Sequence, residues 1–214
     1  EEFIAEAAHR VRTPLATVRS YAEATLQRVQ NLENRDALRA MVRAIDESSR
    51  AAGQLLDHAM VTFRVENLSR ENVDLMELLG DLVRRMTPIA EMRDVTLKLK
   101  AREPALMSGD PILLQNAFRN LVDNALKYAP PDTTITVQVH TTPTLFVNVK
   151  DQGVGFQVDE IQKLAGRFVR GSDTSDQVGS GLGLTIAQDV ALAHGGKMIL
   201  SNRRKGGACV TLQF

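Results

Sequence analysis

Three groups of residues have types and spacings that could carry chemistry, and the first is built around a histidine. His9 opens the segment His-Arg-Val-Arg-Thr-Pro-Leu at residues 9–15. An imidazole with a pKa of about 6.5 is mostly neutral at pH 7, so a ring nitrogen keeps a lone pair and can act as a nucleophile. The helical phase puts His9 on the flank of its helix, and Pro14 predicts a bend one turn later. Taken alone, this pattern leaves open that His9 is an ordinary surface residue.

The second group is a stripe of amides that ends in a lysine. Asn120, Asn124 and Lys127 are spaced i, i+4 and i+7, which puts them on one face of a helix. Amide oxygens together with an ammonium group could hold a metal ion and phosphates. Asparagine is a weak helix former, so two of them in the middle of a helix call for a reason. A solvated polar face remains the alternative on this pattern alone.

The third group consists of two glycine clusters. Residues 151–155, Asp-Gln-Gly-Val-Gly, follow a predicted strand, and residues 179–184, Gly-Ser-Gly-Leu-Gly-Leu, open a predicted helix. Glycines let a backbone approach a phosphate, and a helix N-terminus offers free N–H groups. The aspartate could accept a hydrogen bond from an exocyclic amine. The second cluster is not a Walker A loop, because no Gly-Lys-Ser/Thr follows, and no βαβ unit surrounds it as in a dinucleotide fingerprint.

The histidine lies in a segment with the pattern of two long helices. Apolar residues recur at alternating spacings of four and three from Ile4 to Leu32 and from Leu38 to Phe63, with a break at residues 31–35. This heptad spacing predicts an antiparallel helical hairpin. A lone hairpin of about 65 residues buries too little apolar surface to be stable. We therefore expect residues 1–67 of two chains to pair into a dimeric four-helix bundle, the alternative being a monomeric spacer packed on the second domain.

Residues 68–214 alternate between helical and strand patterns. Asp110 and Pro111 supply an N-cap and a first-turn proline for a helix that continues through Tyr128. Other helices are predicted over 75–92, near Asp159, and over 182–193. Strands are predicted over 95–99, 134–140, 145–151, 198–201 and 208–214. This order predicts an α/β sandwich, a mixed sheet with helices on one face.

The composition excludes several classes of protein. The 26 basic residues balance the 26 acidic ones, which gives no electrostatic reason to expect nucleic acid or an anionic membrane as partner. A single cysteine, Cys209, excludes a disulfide framework and a cysteine-based zinc site. No apolar run approaches the roughly 20 residues that cross a bilayer. The chain starts inside a helical pattern without a cap, so we expect a cut through a longer helix, with room upstream for a membrane-anchored sensor region.

Together, these patterns resemble the catalytic core of sensor histidine kinases of two-component systems, over essentially the whole chain. The matching segments, in the family's order, are the phospho-acceptor box at His9 and residues 12–15, the asparagine box at 120–128, the first glycine box at 151–155, the end of the phenylalanine-containing box at 167–170, and the second glycine box at 179–183. Several boxes in the right order are far more specific than any one of them.

The resemblance implies an ATP-binding domain of the Bergerat type over residues 68–214, which follows a dimerisation and histidine phosphotransfer domain over residues 1–67. The implied ATP-binding residues are Asn120, Asn124, Lys127, Tyr128, Asp151, Gly153, Gly155, Arg170, Gly179, Gly181, Leu182 and Gly183. Among these, Asp151 would recognise adenine and Asn124 would bind Mg²⁺, while residues 165–180 would form a lid. The γ-phosphate of ATP would pass to His9 and then to an aspartate of a response regulator, in the cytoplasm.

The chain departs from the family pattern directly after the acceptor histidine. The residue there is usually acidic, and here it is Arg10, which cannot accept a proton from the imidazole. Glu6 lies at i−3 on the same face, and we hypothesise that it partly takes this role. Thr13 occupies the position that the family uses for dephosphorylation.

Two other functions stay open at this point. The first is a degenerate kinase that binds nucleotide and acts as a signalling scaffold. Arg10, in place of the usual acidic residue, supports it. An ATPase of the gyrase or chaperone type is disfavoured, because hydrolysis needs a positioned general base and Asn120 stands near the place of the usual glutamate.

Overall fold

The computed structural model describes residues 2–29, 31–100, 104–157 and 182–214, without the side chains of residues 2–12, 32, 33, 50 and 54. The chain divides into two compact units, one of which runs up to Phe63 while the other begins at Arg64.

The first unit is a helical hairpin, as predicted. Helix α1 spans Glu2–Arg28 and helix α2 spans Leu32–Glu66. The prediction of a break over residues 31–35 was wrong in its extent, because Asn31 caps α2: its Oδ1 accepts a hydrogen bond from the Asn34 N–H at 3.2 Å. The two helices are linked by an ion pair in which Arg19 Nε lies 3.3 Å from Asp46 Oδ1.

This hairpin leaves much of its apolar surface uncovered. Among its described side chains, only Ala22 and Val61 are buried apolar residues. Tyr21 and Leu55 are 73% and 62% exposed, and Met41 is 53% exposed. Val18 and Phe63, two described residues of the predicted heptad seam, are 48% and 43% exposed, so they do not belong to a closed core within one chain.

Among the described residues, the second unit contains two sheets and three helices, the last of them from Gly183 onward. Its elements are β1 Glu71–Asp74, α3 Leu75–Glu91, β2 Val95–Lys100, β3 Leu106–Gly109, α4 Pro111–Tyr128, β4 Thr133–His140, β5 Phe146–Lys150, α5 Leu182–Ala193, β6 Lys197–Asn202 and β7 Ala208–Gln213. The main sheet has the order β2-β4-β5-β7-β6. Strand β2 runs parallel to β4 and the other neighbours are antiparallel, so the predicted mixed sheet is confirmed.

Strands β1 and β3 pair with each other antiparallel in a separate sheet, and the sequence analysis missed both. Each has four residues, and Glu71–Asp74 is rich in polar side chains, which gives no strand periodicity to detect. The predicted helix near Asp159 lies outside the described residues.

Helix α4 places its polar stripe at the edge of the core. Asp110 is its N-cap and accepts hydrogen bonds from the N–H groups of Ile112 and Leu113 at 3.0 and 3.1 Å, as predicted. The apolar face of α4 is buried, and Phe118 has no exposed surface. This orientation leaves Asn120, Asn124, Lys127 and Tyr128 half-buried on a neighbouring face.

Candidate functional site

The amide stripe of α4 lies directly against the start of α5. The side-chain Nδ2 of Asn120 donates to the Asn116 carbonyl at 2.8 Å, which directs its Oδ1 away from the helix backbone. A Cβ atom added to Gly183 would lie 3.2 Å from that Oδ1. Glycine at this position thus lets α5 approach the asparagine face closely.

Asn124 supplies an oxygen ligand on the same face. Its side chain is half-buried, and no hydrogen bond from another described residue reaches its amide oxygen. No cluster of three or more His, Cys, Asp or Glu residues occurs in the described ranges. Mg²⁺ needs oxygen ligands and is commonly held by one or two protein groups together with substrate phosphates, so a single amide oxygen fits this ion in the presence of a nucleotide.

A positive charge lies at the C-terminal end of α4. Lys127 Nζ donates to the Tyr128 hydroxyl at 3.1 Å and lies 4.8 Å from the centre of its ring. Among the described residues, Lys127 forms no ion pair with a carboxylate. Its charge therefore remains available to an anionic ligand at this edge.

Asp151 is held by one of its two carboxylate oxygens. Asp151 is 5% exposed, and its Oδ1 accepts hydrogen bonds from the N–H groups of Gly153 at 2.8 Å and Ala208 at 3.0 Å. No described residue donates to Oδ2, which leaves one fixed acceptor for a ligand. A Cβ atom added to Gly153 would overlap the carbonyl of Tyr128, so this loop packs against the end of α4.

The second unit therefore gathers several of the predicted ligand-binding residues on α4 or in segments that contact it. These are Asn120, Asn124, Lys127, Tyr128, Asp151, Gly153 and Gly183. Gly155 instead lies against Asn202 and Gly207. Leu182 is the first residue of α5. Arg170, Gly179, Gly181 and the predicted lid at residues 165–180 lie outside the described residues.

The residues predicted to take part in phosphorylation lie on helix α1 of the first unit. Thr13 is exposed, and its carbonyl accepts a hydrogen bond from Thr17 at 3.0 Å. Glu6 and His9 belong to the same continuous helix, although their side chains lie outside the description. The helical spacing puts the three residues on one face.

Sequence reasoning missed a buried network at the start of α4. Arg64, in the part of α2 that belongs to the second unit, donates from Nε to Asp110 Oδ2 at 2.7 Å. Asp110 is fully buried, and its N–H donates to His194 Nε2 at 2.9 Å. The other ring nitrogen, Nδ1, lies 2.7 Å from the Val190 carbonyl and donates to it. His194 directly follows the last residue of α5, and its ring holds the N-terminal end of α4, the helix that carries the site.

His194 makes the stability of this unit depend on pH. Burial is the largest effect and lowers the pKa of His194; the hydrogen bond to the Val190 carbonyl opposes it, while Arg70 lowers the pKa further and Asp110 raises it slightly. The unfolded chain, with a pKa of about 6.5, takes up a proton first as the pH falls. The free energy of unfolding is therefore at its full value above about pH 6.5 and declines below it, by up to about 1.4 kcal/mol per pH unit.

Urea unfolding at pH 7.5 and pH 5.5 measures this effect. The variant His194→Gln keeps a side-chain acceptor for the Asp110 N–H but has no titrating ring, so its stability should change less between the two values. Equal changes in both proteins would contradict the assignment.

The two units match two different family models. Residues 1–68 match the His Kinase A (phospho-acceptor) domain. Residues 109–214 match the histidine kinase-, DNA gyrase B-, and HSP90-like ATPase family. The order of the two matches is the order of the motifs in the sequence.

Curated relatives cover nearly the whole chain. The swarming motility regulation sensor protein RssA of Serratia marcescens is 34% identical over 193 residues, which are 89% of this chain and 41% of that protein. The sensor protein BasS of Salmonella typhimurium is 32% identical over 206 residues, which are 94% of this chain and 55% of that protein. The chain thus spans about half the length of these relatives.

Solved structures share the fold. The mycobacterial sensor histidine kinase MprB matches with a TM-score of 0.56 and 27% identity, over 68% of this chain and 97% of that one. Full-length ShkA, solved in complex with AMPPNP, matches with a TM-score of 0.68 over 99% of this chain and 45% of that one. Its identity of 23% shows similarity of fold alone.

The chain belongs to the sensor histidine kinases of two-component signal transduction, and the resemblance drawn from the motifs is confirmed. Its class of enzyme is the histidine kinase, with an ATP-binding domain in the second unit. Within the described residues, no helix combines the length and the apolar composition that a bilayer span requires.

Proposed function

We propose that this chain phosphorylates itself on His9 with ATP and then passes the phosphoryl group to an aspartate of a response regulator. The observation that carries the proposal is the Asp151 carboxylate, fixed through Oδ1 and open at Oδ2, beside a helix face that offers amides and a lysine. A hydrogen-bond acceptor fixed in this way suits the 6-amino group of adenine, and the helix face suits a triphosphate.

The roles proposed for the other residues follow from their chemistry. Asn124 would hold Mg²⁺, which neutralises charge on the phosphates when it is bound. Asn120, Lys127 and Tyr128 would contact the phosphates or the ribose. The glycines at 153, 155 and 183 let backbone approach the ligand, and we extend the same binding role to Arg170, Gly179, Gly181 and Leu182.

The reaction itself is a transfer to an imidazole nitrogen. One ring nitrogen of His9 attacks the γ-phosphorus, the bond to the bridging oxygen breaks, and ADP leaves. The proton on the other ring nitrogen needs an acceptor, and Glu6 is our candidate because Arg10 cannot accept one. Thr13, one helical turn beyond His9, is our candidate for a residue that takes part in dephosphorylation.

The uncovered apolar surface of the hairpin supports a homodimer. Residues 1–67 of two chains would form a four-helix bundle, which would bury residues such as Tyr21 and Leu55. Residues 68–214 would form the ATP-binding domain. Since ATP is the phosphoryl donor, the proposed place of action is the cytoplasm, in a longer protein with a sensor region.

Incubation with γ-labelled ATP and Mg²⁺ tests the function. We expect an acid-labile label on the protein that disappears completely in His9→Ala. The matched control is His58→Ala, which removes another histidine of the same hairpin and should keep the label. Nucleotide binding without any label would favour the signalling scaffold, and free phosphate without labelled protein would favour an ATPase.

In the same assay, Glu6→Gln tests the proton acceptor. We expect the initial rate of labelling to fall while the final label stays on His9. An unchanged rate would remove Glu6 from the mechanism and leave the kinase activity standing.

A further inference from the structure

The turn between β6 and β7 is attached to the loop that carries Asp151. Asn202, the last residue of β6, binds the backbone of Phe156 through both ends of its amide group. Its Oδ1 accepts from the Phe156 N–H at 2.8 Å, and its Nδ2 donates to the Phe156 carbonyl at 2.8 Å. A single side chain thus satisfies both backbone groups of a residue 46 positions away, and fixes the far end of the loop over residues 151–156, here called the aspartate loop.

Arg203, the next residue, fixes the near end of the aspartate loop. Its guanidinium donates to the backbone carbonyl of Asp151. The backbone of Ala208, just after the turn, contacts the same residue twice: its carbonyl accepts from the Asp151 N–H at 3.1 Å and its N–H donates to Oδ1 at 3.0 Å. The carbonyl, the N–H and one carboxylate oxygen of Asp151 therefore all bind this turn or its flank.

Two glycines let the turn and the aspartate loop approach each other closely. Gly207 has a φ of +94°, and a Cβ atom there would overlap the Asp151 carbonyl. Gly155 has a φ of +77°, and a Cβ atom there would lie 2.7 Å from Asn202 Oδ1. The turn and the aspartate loop are therefore in close contact on this side.

We propose that Asn202 and Arg203 are positioning residues that set the direction of the Asp151 carboxylate, and through it the selectivity for the nucleotide base. The proposal rests on the proposed nucleotide site at Asp151. Oδ2 can accept a hydrogen bond from an exocyclic amine only if the carboxylate points towards that amine. The orientation of the carboxylate depends on the position of the Asp151 backbone, which the turn holds in place. A ligand group displaced by about 1 Å loses most of its benefit from such a hydrogen bond.

Binding of ATP and GTP by titration calorimetry tests this role in Asn202→Ala and Arg203→Ala. GTP has an acceptor where ATP has its 6-amino group, so a well-placed Asp151 carboxylate prefers ATP. Losing one supporting hydrogen bond should raise the Kd for ATP about three- to tenfold, with less change for GTP. The ratio of the two Kd values should therefore fall, and Arg203→Lys, which keeps a cationic donor, should restore part of it.

The same turn provides matched controls. Arg204→Ala and Lys205→Ala alter exposed side chains of the same turn and should leave the ratio unchanged. Partial unfolding of a variant lowers the fraction of protein that binds either nucleotide, and does not change the ratio.

An unchanged ratio in both test variants, or an equal loss in the controls, would overturn the positioning role while leaving the nucleotide site intact. Failure of the unaltered protein to bind ATP would overturn the proposed function together with this inference.

Discussion

Asp151→Asn is expected to preserve the fold and to lower the affinity for ATP by about 100-fold, because it exchanges an acceptor for a donor at one atom. Two backbone N–H groups, of Gly153 and Ala208, donate to Oδ1 in the structure. An asparagine must place its carbonyl oxygen there to satisfy both. Its NH₂ group then takes the position of Oδ2 and faces the amino group of adenine, donor against donor.

The measurement is the Kd for ATP and for ITP, whose base has a carbonyl oxygen in place of the amine. We expect Asp151→Asn to lose ATP binding and to gain affinity for ITP relative to ATP. Asp151→Ala, which also loses both anchoring hydrogen bonds, should bind both nucleotides weakly. If Asp151→Asn binds ATP as tightly as the unaltered protein, Asp151 does not recognise the adenine base.

Asp110→Ala should produce the largest loss of stability, about 3 kcal/mol in the free energy of unfolding. Asp110 caps α4 with one oxygen and pairs with Arg64 through the other, and it has no exposed surface. Its removal leaves two helix N–H groups without their acceptor, and leaves the Arg64 guanidinium, which is 18% exposed, without the Asp110 carboxylate. The helix that starts here is the one that carries Asn120 and Asn124.

Urea unfolding of two further variants separates the two contributions. Asp110→Ser keeps an oxygen for the helix cap and should recover about 1 kcal/mol of the loss. Adding Arg64→Ala to Asp110→Ala also removes the guanidinium that has lost the Asp110 carboxylate, so the double change should cost less than the sum of the two single changes. A loss below about 1 kcal/mol in Asp110→Ala would mean that the buried pair contributes little.

Local sequence patterns predicted the elements that bear the site. The period of apolar residues gave α3, α4 and α5, since each must bury one face, and alternation gave β2 and β4 to β7. Asp110 followed by Pro111 marked the start of α4 because capping is decided within four residues. The spacing of Asn120, Asn124 and Lys127 already put them on one face, because residues three or four positions apart lie on the same side of a helix.

Patterns failed where a feature depends on a distant partner. The four-residue strands β1 and β3 are stabilised by pairing with each other, about 35 positions apart, so neither has a periodic signal of its own. The start of α2 was predicted too late because the side chain of Asn31 was assigned to a break and not to a cap.

The sequence by itself determined the family, most of the helices and the face of α4 that carries Asn120, Asn124 and Lys127, because all of these follow from residue types at short, regular spacings. Only the tertiary structure decided which oxygen of Asp151 is free, that Asn202 and Arg203 hold its loop, and that His194 supports the start of α4. Each of these contacts joins residues that are 46 to 84 positions apart. Their geometry is set by how the sheet and helices pack, and no local pattern records it.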